Sequence, residues 1–153
     1  MNSLYDFHDE YYMRLALDEA RAAADEGEIP IGAVVVDSAG NIIGRGHNRT
    51  ESLCDVTAHA EMQAISAAAT TLGGKYLVGC TLYVTVEPCP MCAGAIGWSQ
   101  LRRIVTGAPD AKRGYSVLQR PGKSFFHPKA TVTQGVLEDE CASLMRAFFI
   151  RRR

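Results

Sequence analysis

The sequence predicts an α/β domain built on a mixed sheet, and three patterns carry that reading. Two short runs rich in β-branched residues, 31–36 and 42–46, flank the turn-forming cluster Asp37-Ser38-Ala39-Gly40-Asn41, which reads as an antiparallel hairpin. A strand at 81–86, a helix at 90–99 and a strand at 103–106 then follow with the spacing of a βαβ unit, which requires a parallel pair. Helical periodicity stands at both ends of the chain. A length of 153 residues suits one domain with its own core, so residues 1–153 are expected to form a single unit.

In order along the chain, residues 8–26 form the first expected helix. Tyr12, Leu15, Ala16, Ala20 and Ala23 lie along one stripe, and Gly27 supplies the stop. After the hairpin, the alanine-rich stretch 59–70 reads as a second helix that ends near Gly73-Gly74. The βαβ unit leads into residues 108–128, where Gly114, Pro121, Gly122 and Pro128 break any periodicity; an irregular segment of that length usually serves function or moves. Residues 131–134 read as a last strand. Residues 138–153 read as a final helix with Cys141, Leu144, Met145 and Phe148 on its apolar face.

A hydrophobic content of 47% and a charged content of 22% fit an ordinary globular protein. No apolar stretch reaches membrane-spanning length, and the acidic start Met1-Asn2-Ser3-Leu4-Tyr5-Asp6 lacks the features of a secretion signal. Five cysteines, an odd number, suit a reducing compartment, so a cytoplasmic location is expected. The net charge of −1 hides a division. Residues 1–100 carry 5 Lys/Arg against 13 Asp/Glu, whereas residues 101–153 carry 11 against 4. Such asymmetry points to a polyanion as partner of the basic half. A favourable helix dipole accounts for Arg151, Arg152 and Arg153 at a helix end, but not for Arg102, Arg103, Lys112, Arg113, Arg120, Lys123 and Lys129.

The chemistry concentrates in His59-Ala60-Glu61 and Pro88-Cys89-Pro90-Met91-Cys92. One imidazole and two thiolates make three zinc ligands, and a site with three protein ligands keeps a corner open for water, as catalytic zinc sites do. Cys89 and Cys92 stand three apart at a helix start, where the helix dipole and a metal both favour the thiolate; Pro90 suits the first turn. A Cys-x-x-Cys pair is also found in redox proteins, but the Pro-Met filling and the flanks here do not match that use. Side chains at i and i+2 point about 200° apart in a regular helix. His59 and Glu61 can therefore converge only where a helix begins. Glu61 is read as the acid–base group that moves protons between water and substrate, not as a ligand. Its alternative role is an ordinary first-turn glutamate facing the helix dipole.

Other candidates have plainer readings. Cys54, Cys80 and Cys141 are expected to be small buried apolar residues, and Met13, Met62, Met91 and Met145 core fillers. His47, Cys54 or His127 could close the zinc shell and make the site structural, although their spacing matches no finger or ribbon. Phe148 and Phe149 are expected to divide between core and surface. An exposed Phe149 beside Arg151, Arg152 and Arg153 could stack on bases and hold phosphates.

The motif pair His-x-Glu and Pro-Cys-x-x-Cys marks zinc-dependent nucleobase deaminases. Beyond it, Pro30-Ile31-Gly32-Ala33-Val34-Val35, Asn48, Thr57-Ala58-His59-Ala60-Glu61, the run from Thr81 through Cys89, Met91-Cys92-Ala93-Gly94-Ala95-Ile96, Asp110-Ala111-Lys112 and the Phe148-Phe149 ending resemble the bacterial tRNA-specific adenosine deaminases. The resemblance covers nearly the whole chain. It implies a cytidine-deaminase-like fold, a three-layer α/β/α arrangement with a mixed five-stranded sheet, and one Zn2+ per chain held by His59, Cys89 and Cys92 with Glu61 as the catalytic residue. It further implies conversion of the wobble adenosine of an arginine tRNA to inosine by a homodimer whose two subunits both touch the anticodon loop. Asn48 and the backbone of Ala60 would then contact the base or its ribose, and Ile31 would form part of the pocket wall. Val56 stands where that family often has proline. Pro90 gives a Pro-Cys-Pro-Met-Cys form also frequent in guanine and cytosine deaminases.

Three functions therefore compete: a tRNA adenosine deaminase, a free guanine or cytosine deaminase on the same scaffold, and a non-catalytic, zinc-stabilised RNA-binding module. The basic C-terminal half and the Phe-Phe-arginine ending favour tRNA over a free base. An intact Glu61 argues against a binding module, which has no use for an acid–base group beside an open zinc corner.

Overall fold

A computed structural model describes residues 4–152. In chain order the elements are α1 (Leu4–Asp25), β1 (Gly32–Val36), β2 (Ile42–His47), α2 (Ala60–Leu72), β3 (Thr81–Val86), α3 (Pro90–Trp98), β4 (Arg103–Ala108), a short 3-10 turn at Tyr115–Val117, β5 (Thr131–Thr133) and α4 (Glu138–Arg151). The strands form one sheet in the order β2-β1-β3-β4-β5. The β1–β2 hairpin and the β1–β3 pair are antiparallel, while β3–β4 and β4–β5 are parallel. A mixed sheet with a hairpin at one side and parallel strands at the other is what the turn cluster and the βαβ spacing predict.

Alternation along the strands divides the core into two layers of side chains. Ala33, Val35, Leu82, Val84 and Ile104 face α2 and α3, meeting Ala60, Ala64, Ala68, Ala93 and Ile96. Val34, Val36, Tyr83 and Val105 face the other way, toward Met13, Ala16 and Leu17 of α1 and Cys141 of α4. The result is three layers, α/β/α.

The alanine content of α2 has a steric cause. Gly44 and Gly46 of β2 lie directly under its backbone, and a Cβ added at Gly46 would come within 2.5 Å of the Ala60 carbonyl. Alanine at 60, 64 and 68 is what such a close approach admits, and the approach fixes where α2 begins.

The first helix keeps its expected stripe but begins earlier and buries more. It starts at Leu4, and its buried face is Met13, Ala16, Leu17, Ala20 and Ala23, with Tyr12 and Leu15 at the margin. Tyr12 is drawn aside because its hydroxyl donates to the Gly40 carbonyl (2.7 Å) and its ring stands 5.1 Å from that of Tyr83. At the other end the stop is as expected. Gly27 adopts φ 78°, and the amides of Gly27 and Glu28 donate back to Ala24 and Ala23, which satisfies the last carbonyls and turns the chain into β1.

The segment 108–128 is irregular but anchored from below. Tyr115 and Phe126 are buried with ring centroids 4.9 Å apart. Arg103, counted among the free cations in the sequence, is instead paired: its guanidinium meets both carboxylate oxygens of the buried Asp9 at 2.6 and 2.5 Å and donates to Thr133, while the Tyr83 hydroxyl also donates to Asp9. Among the described residues no helix is long and apolar enough to cross a membrane.

Candidate metal centre

Two helix starts meet at one point. His59 is the N-cap of α2 and Cys89 the N-cap of α3, both with extended backbone (φ −74°, ψ 157° and φ −72°, ψ 168°). Neither uses its side chain to cap its helix, so both side chains project beyond the first turn, and Pro90 opens α3. This resolves the angular problem of the His-x-Glu spacing: His59 stands outside the helix that carries Glu61.

His59 Nδ1 lies 3.6 Å from Cys89 Sγ and 3.5 Å from Cys92 Sγ, and the three ligand atoms all fall within 4.8 Å of one another. Zinc bonds of about 2.3 Å to sulfur and about 2.0–2.1 Å to nitrogen, at tetrahedral angles, place those atoms about 3.6 Å apart. The donor set therefore fits zinc in both chemistry and separation. Among the described residues no fourth His, Cys, Asp or Glu joins the group.

The three residues proposed to close the shell are engaged elsewhere. His47 meets Glu19 (2.8 Å) and Glu26 (3.2 Å) on α1, His127 Nδ1 accepts from the Lys129 amide, and the Cys54 thiol donates to the Glu51 carbonyl.

Electrostatics divide the two thiols of the centre. The Cys89 thiol is drawn down to about 4, chiefly by the hydrogen bond from Cys92, against burial and with help from His59. That same pairing and then burial push Cys92 up, and the bond to Cys89 raises His59. Glu61 is buried, and burial raises its carboxyl to about 7, against a hydrogen bond from its own backbone N–H. A carboxyl that titrates near neutrality can both take and return a proton.

The neighbouring chain is tied to this point by backbone bonds. The Asn48 amide donates to Ile31 (3.1 Å), and the Arg49 amide to Ala58 (2.9 Å), so Ile31, Asn48 and Ala58 lie side by side just before His59. Asn48 is buried. Ala60 opens α2, where first-turn amides have no acceptor within the helix.

The family model described as cytidine and deoxycytidylate deaminase zinc-binding region matches residues 7–108. A tRNA-specific adenosine deaminase of Bacillus subtilis is 48% identical over 92% of this chain and 88% of its own, and one of Agrobacterium fabrum is 45% identical over 94% and 95%. The chain belongs to the cytidine and deoxycytidylate deaminase family. Within it, the tRNA-specific adenosine deaminases are its branch. A solved structure from work on A-to-I editing by tRNA:A34 deaminases superposes with a TM-score of 0.80 at 44% identity, covering 88% of this chain and 98% of that one. A guanine deaminase from Nitrosomonas europaea superposes at 0.77 but is 29% identical, over 91% of this chain and 83% of its own. The chain is thus a zinc-dependent deaminase, which removes the binding-module reading, and its likeness to the free-base enzyme is the weaker one.

The other residues singled out in the deaminase sequence fall into place unevenly. Phe148 is buried and Phe149 exposed, as expected, and Arg151 is exposed. Arg152 folds back instead: it donates to the Gly27 carbonyl and lies over the Phe148 ring, 4.6 Å from its centroid. Arg153 lies outside the described residues. Through Cys141, Ala142 and Leu144, α4 packs on the α1 side of the sheet, opposite the helices that carry the metal ligands. Cys80 and Cys141 are buried, but Cys54 is exposed, because it sits in a left-handed turn (φ 50°) of the surface loop 49–58. Met13 is a core filler and Met62 and Met145 are half-buried, whereas Met91 is exposed on the first turn of α3.

Two buried glutamates escaped the sequence reading. Glu87 accepts from the Ser116 amide (3.3 Å) and hydroxyl (2.9 Å), and the Tyr115 amide donates to Pro88, so the loop after β4 is fastened to the segment that delivers Cys89. Glu28 plays a similar part at loop 49–58. Their partners lie 23 to 29 positions away along the chain, and no local pattern announces them.

Proposed function

We propose that this chain is a tRNA adenosine deaminase that converts the wobble adenosine of an anticodon loop to inosine, with release of ammonia. The observation that carries the reading is the 48% identity to a tRNA-specific adenosine deaminase across 92% of the chain, with all the motif residues in place.

His59, Cys89 and Cys92 would hold one zinc, which when bound supplies Lewis-acid activation of the attacking water. Glu61, buried beside them, takes a proton as the water oxygen bonds to C6 of the adenine ring. It delivers that proton to the ring nitrogen N1, then takes the second proton and gives it to the departing amine as the C6–N bond breaks. Water and adenosine are consumed; inosine and ammonia are formed. The base reaches this pocket by leaving the loop's stack, which costs less in a single-stranded loop than in a duplex. Asn48, the Ala60 backbone and Ile31 would hold the base and its ribose.

The exposed cations of the segment 112–129, together with Phe149, Arg151 and Arg153, would face the RNA, whereas Arg152 is held on Gly27 and Phe148. An arginine tRNA is the proposed substrate and the cytoplasm the proposed location, with residues 1–153 acting as one domain. A homodimer is proposed as the working form. Trp98 is 85% exposed, and with Tyr76 and Phe125 it leaves an apolar surface beside α3 that a second subunit would cover. Incubating purified protein with tRNA and reading inosine as guanosine at the wobble position tests the reaction.

A further inference from the structure

Glu28 is 1% exposed, yet neither the metal centre nor the proton path uses it. It follows the Gly27 stop of α1, which turns its side chain inward to the loop 49–58. One carboxylate oxygen accepts from the Ser52 amide (2.8 Å) and the Ser52 hydroxyl (3.2 Å), and the other from the Glu51 amide (3.3 Å). A buried carboxylate is kept only where such bonds replace its water. The loop it holds is otherwise a surface loop, with residues 51–57 exposed and little apolar burial to order it. Its neck is the Arg49–Ala58 backbone bond, with Asn48 entering on one strand and His59 leaving on the other. Glu28 is also three residues before Ile31, whose carbonyl accepts the Asn48 amide.

We propose that Glu28 is a positioning residue for the reaction. By holding the Glu51 and Ser52 amides it sets loop 49–58, and through it the placement of Asn48 against the substrate. The inference rests on the proposed function for the identity of that substrate. Glu61 and Cys92 sit on the first turns of α2 and α3, and His59, which follows the loop, is tied into α2 by the Gln63 amide. Loss of the clasp should therefore act on substrate binding more than on the chemical step, and should leave the metal in place.

The test compares zinc-loaded, full-length wild type with Glu28→Ala, Glu28→Gln and Ser52→Ala on an anticodon stem-loop RNA that carries a wobble adenosine. Zinc content, amide exchange at positions 51 and 52, kcat and KM are the readouts. Glu28→Ala should keep one zinc and speed exchange at both amides. It should raise KM at least about tenfold, since all three hydrogen bonds to the carboxylate are lost, with kcat nearly unchanged. Glu28→Gln retains an acceptor and should fall between, and Ser52→Ala, which removes only the hydroxyl bond, should shift KM least. Loss of zinc with a collapse of kcat would make Glu28 a residue of the fold alone and overturn the proposal. Faster exchange with unchanged KM would overturn it as well, since the loop would then not place the substrate side. A wild-type chain that leaves the RNA unaltered refutes the proposed function itself, an outcome separable because it precedes any substitution.

Discussion

His59 Nδ1 lies 3.5 Å from Cys92 Sγ, although the two residues are 33 positions apart and belong to the starts of different helices. That separation is the edge of a zinc tetrahedron with one imidazole and one thiolate corner. Wild-type protein should therefore carry one zinc per chain, and Cys92→Ala should carry much less. Chelation should abolish deamination and lower Tm, and added zinc should restore both, since a ligand bound only by the folded state stabilises it. Metal analysis with thermal melts checks this. Full zinc content and activity in Cys92→Ala would remove that residue from the centre.

Glu61→Gln should keep the zinc and lose the reaction. In the proposed reaction the side chain moves protons and holds no metal, so the fall in kcat should be at least about 10²–10⁴-fold, the contribution of one general acid–base group, and larger if Glu61 serves several transfers. Single-turnover assays on zinc-loaded variant protein measure it.

The same carboxyl predicts a pH effect in zinc-free protein. Burial raises Glu61 from 4.5 to about 7, so the folded chain favours the protonated form. The stability this contributes is fully present below pH 4.5 and is lost as pH rises through 7. Glu61→Gln has no such loss. Between pH 4 and pH 8 the wild type should lose roughly 3 kcal/mol relative to the variant, because a tenfold change in proton affinity is worth about 1.4 kcal/mol. Denaturant melts of both zinc-free proteins at the two pH values give the difference, and a constant gap would contradict the assigned burial effect.

How far the sequence reaches is clearest in these groups. The cluster of His59, Cys89 and Cys92 is legible because metal chemistry restricts residue type and spacing together, and the sheet is legible because a turn cluster and a crossover length dictate antiparallel and parallel pairing. On the first helix Ala16, Ala20 and Ala23 are buried as the stripe predicts, while Tyr12, apolar by its ring, turns its hydroxyl to the Gly40 carbonyl and stays half-buried beside Met13 and Leu17. Charge was harder still. Arg103 and Arg152 look like their exposed neighbours in composition, and only the fold pairs one with Asp9 and lays the other over Phe148. Glu28 and Glu87 bond to backbone amides of distant loops, and a backbone amide has no signature in a sequence.

That division of the cations gives a prediction for RNA binding. Lys112 and Arg113 are exposed on the loop that Glu87 fastens beside Cys89, whereas Arg103 is bound to a carboxylate 3% exposed. Lys112→Gln and Arg113→Gln should each weaken RNA binding and flatten its salt dependence by about 0.7 in slope, one phosphate contact on a single strand. Arg103→Gln should leave the slope alone and destabilise the fold by about 3 kcal/mol, because it leaves the buried Asp9 carboxylate without a cation and with only the Tyr83 hydroxyl. Binding isotherms across a salt series, with melts of the same variants, separate the two roles. An unchanged slope in Lys112→Gln and Arg113→Gln would take this loop out of the RNA interface.

The central claim is the reaction, and the most direct measurement is mass spectrometry of nucleosides from a purified arginine tRNA with adenosine at the wobble position, incubated with zinc-loaded protein. Adenosine at that one position should become inosine with wild type and remain adenosine with Glu61→Gln, while free guanine and cytosine are left intact by both. An unaltered tRNA beside turnover of guanine or cytosine would contradict the account and assign the chain to free-base deamination.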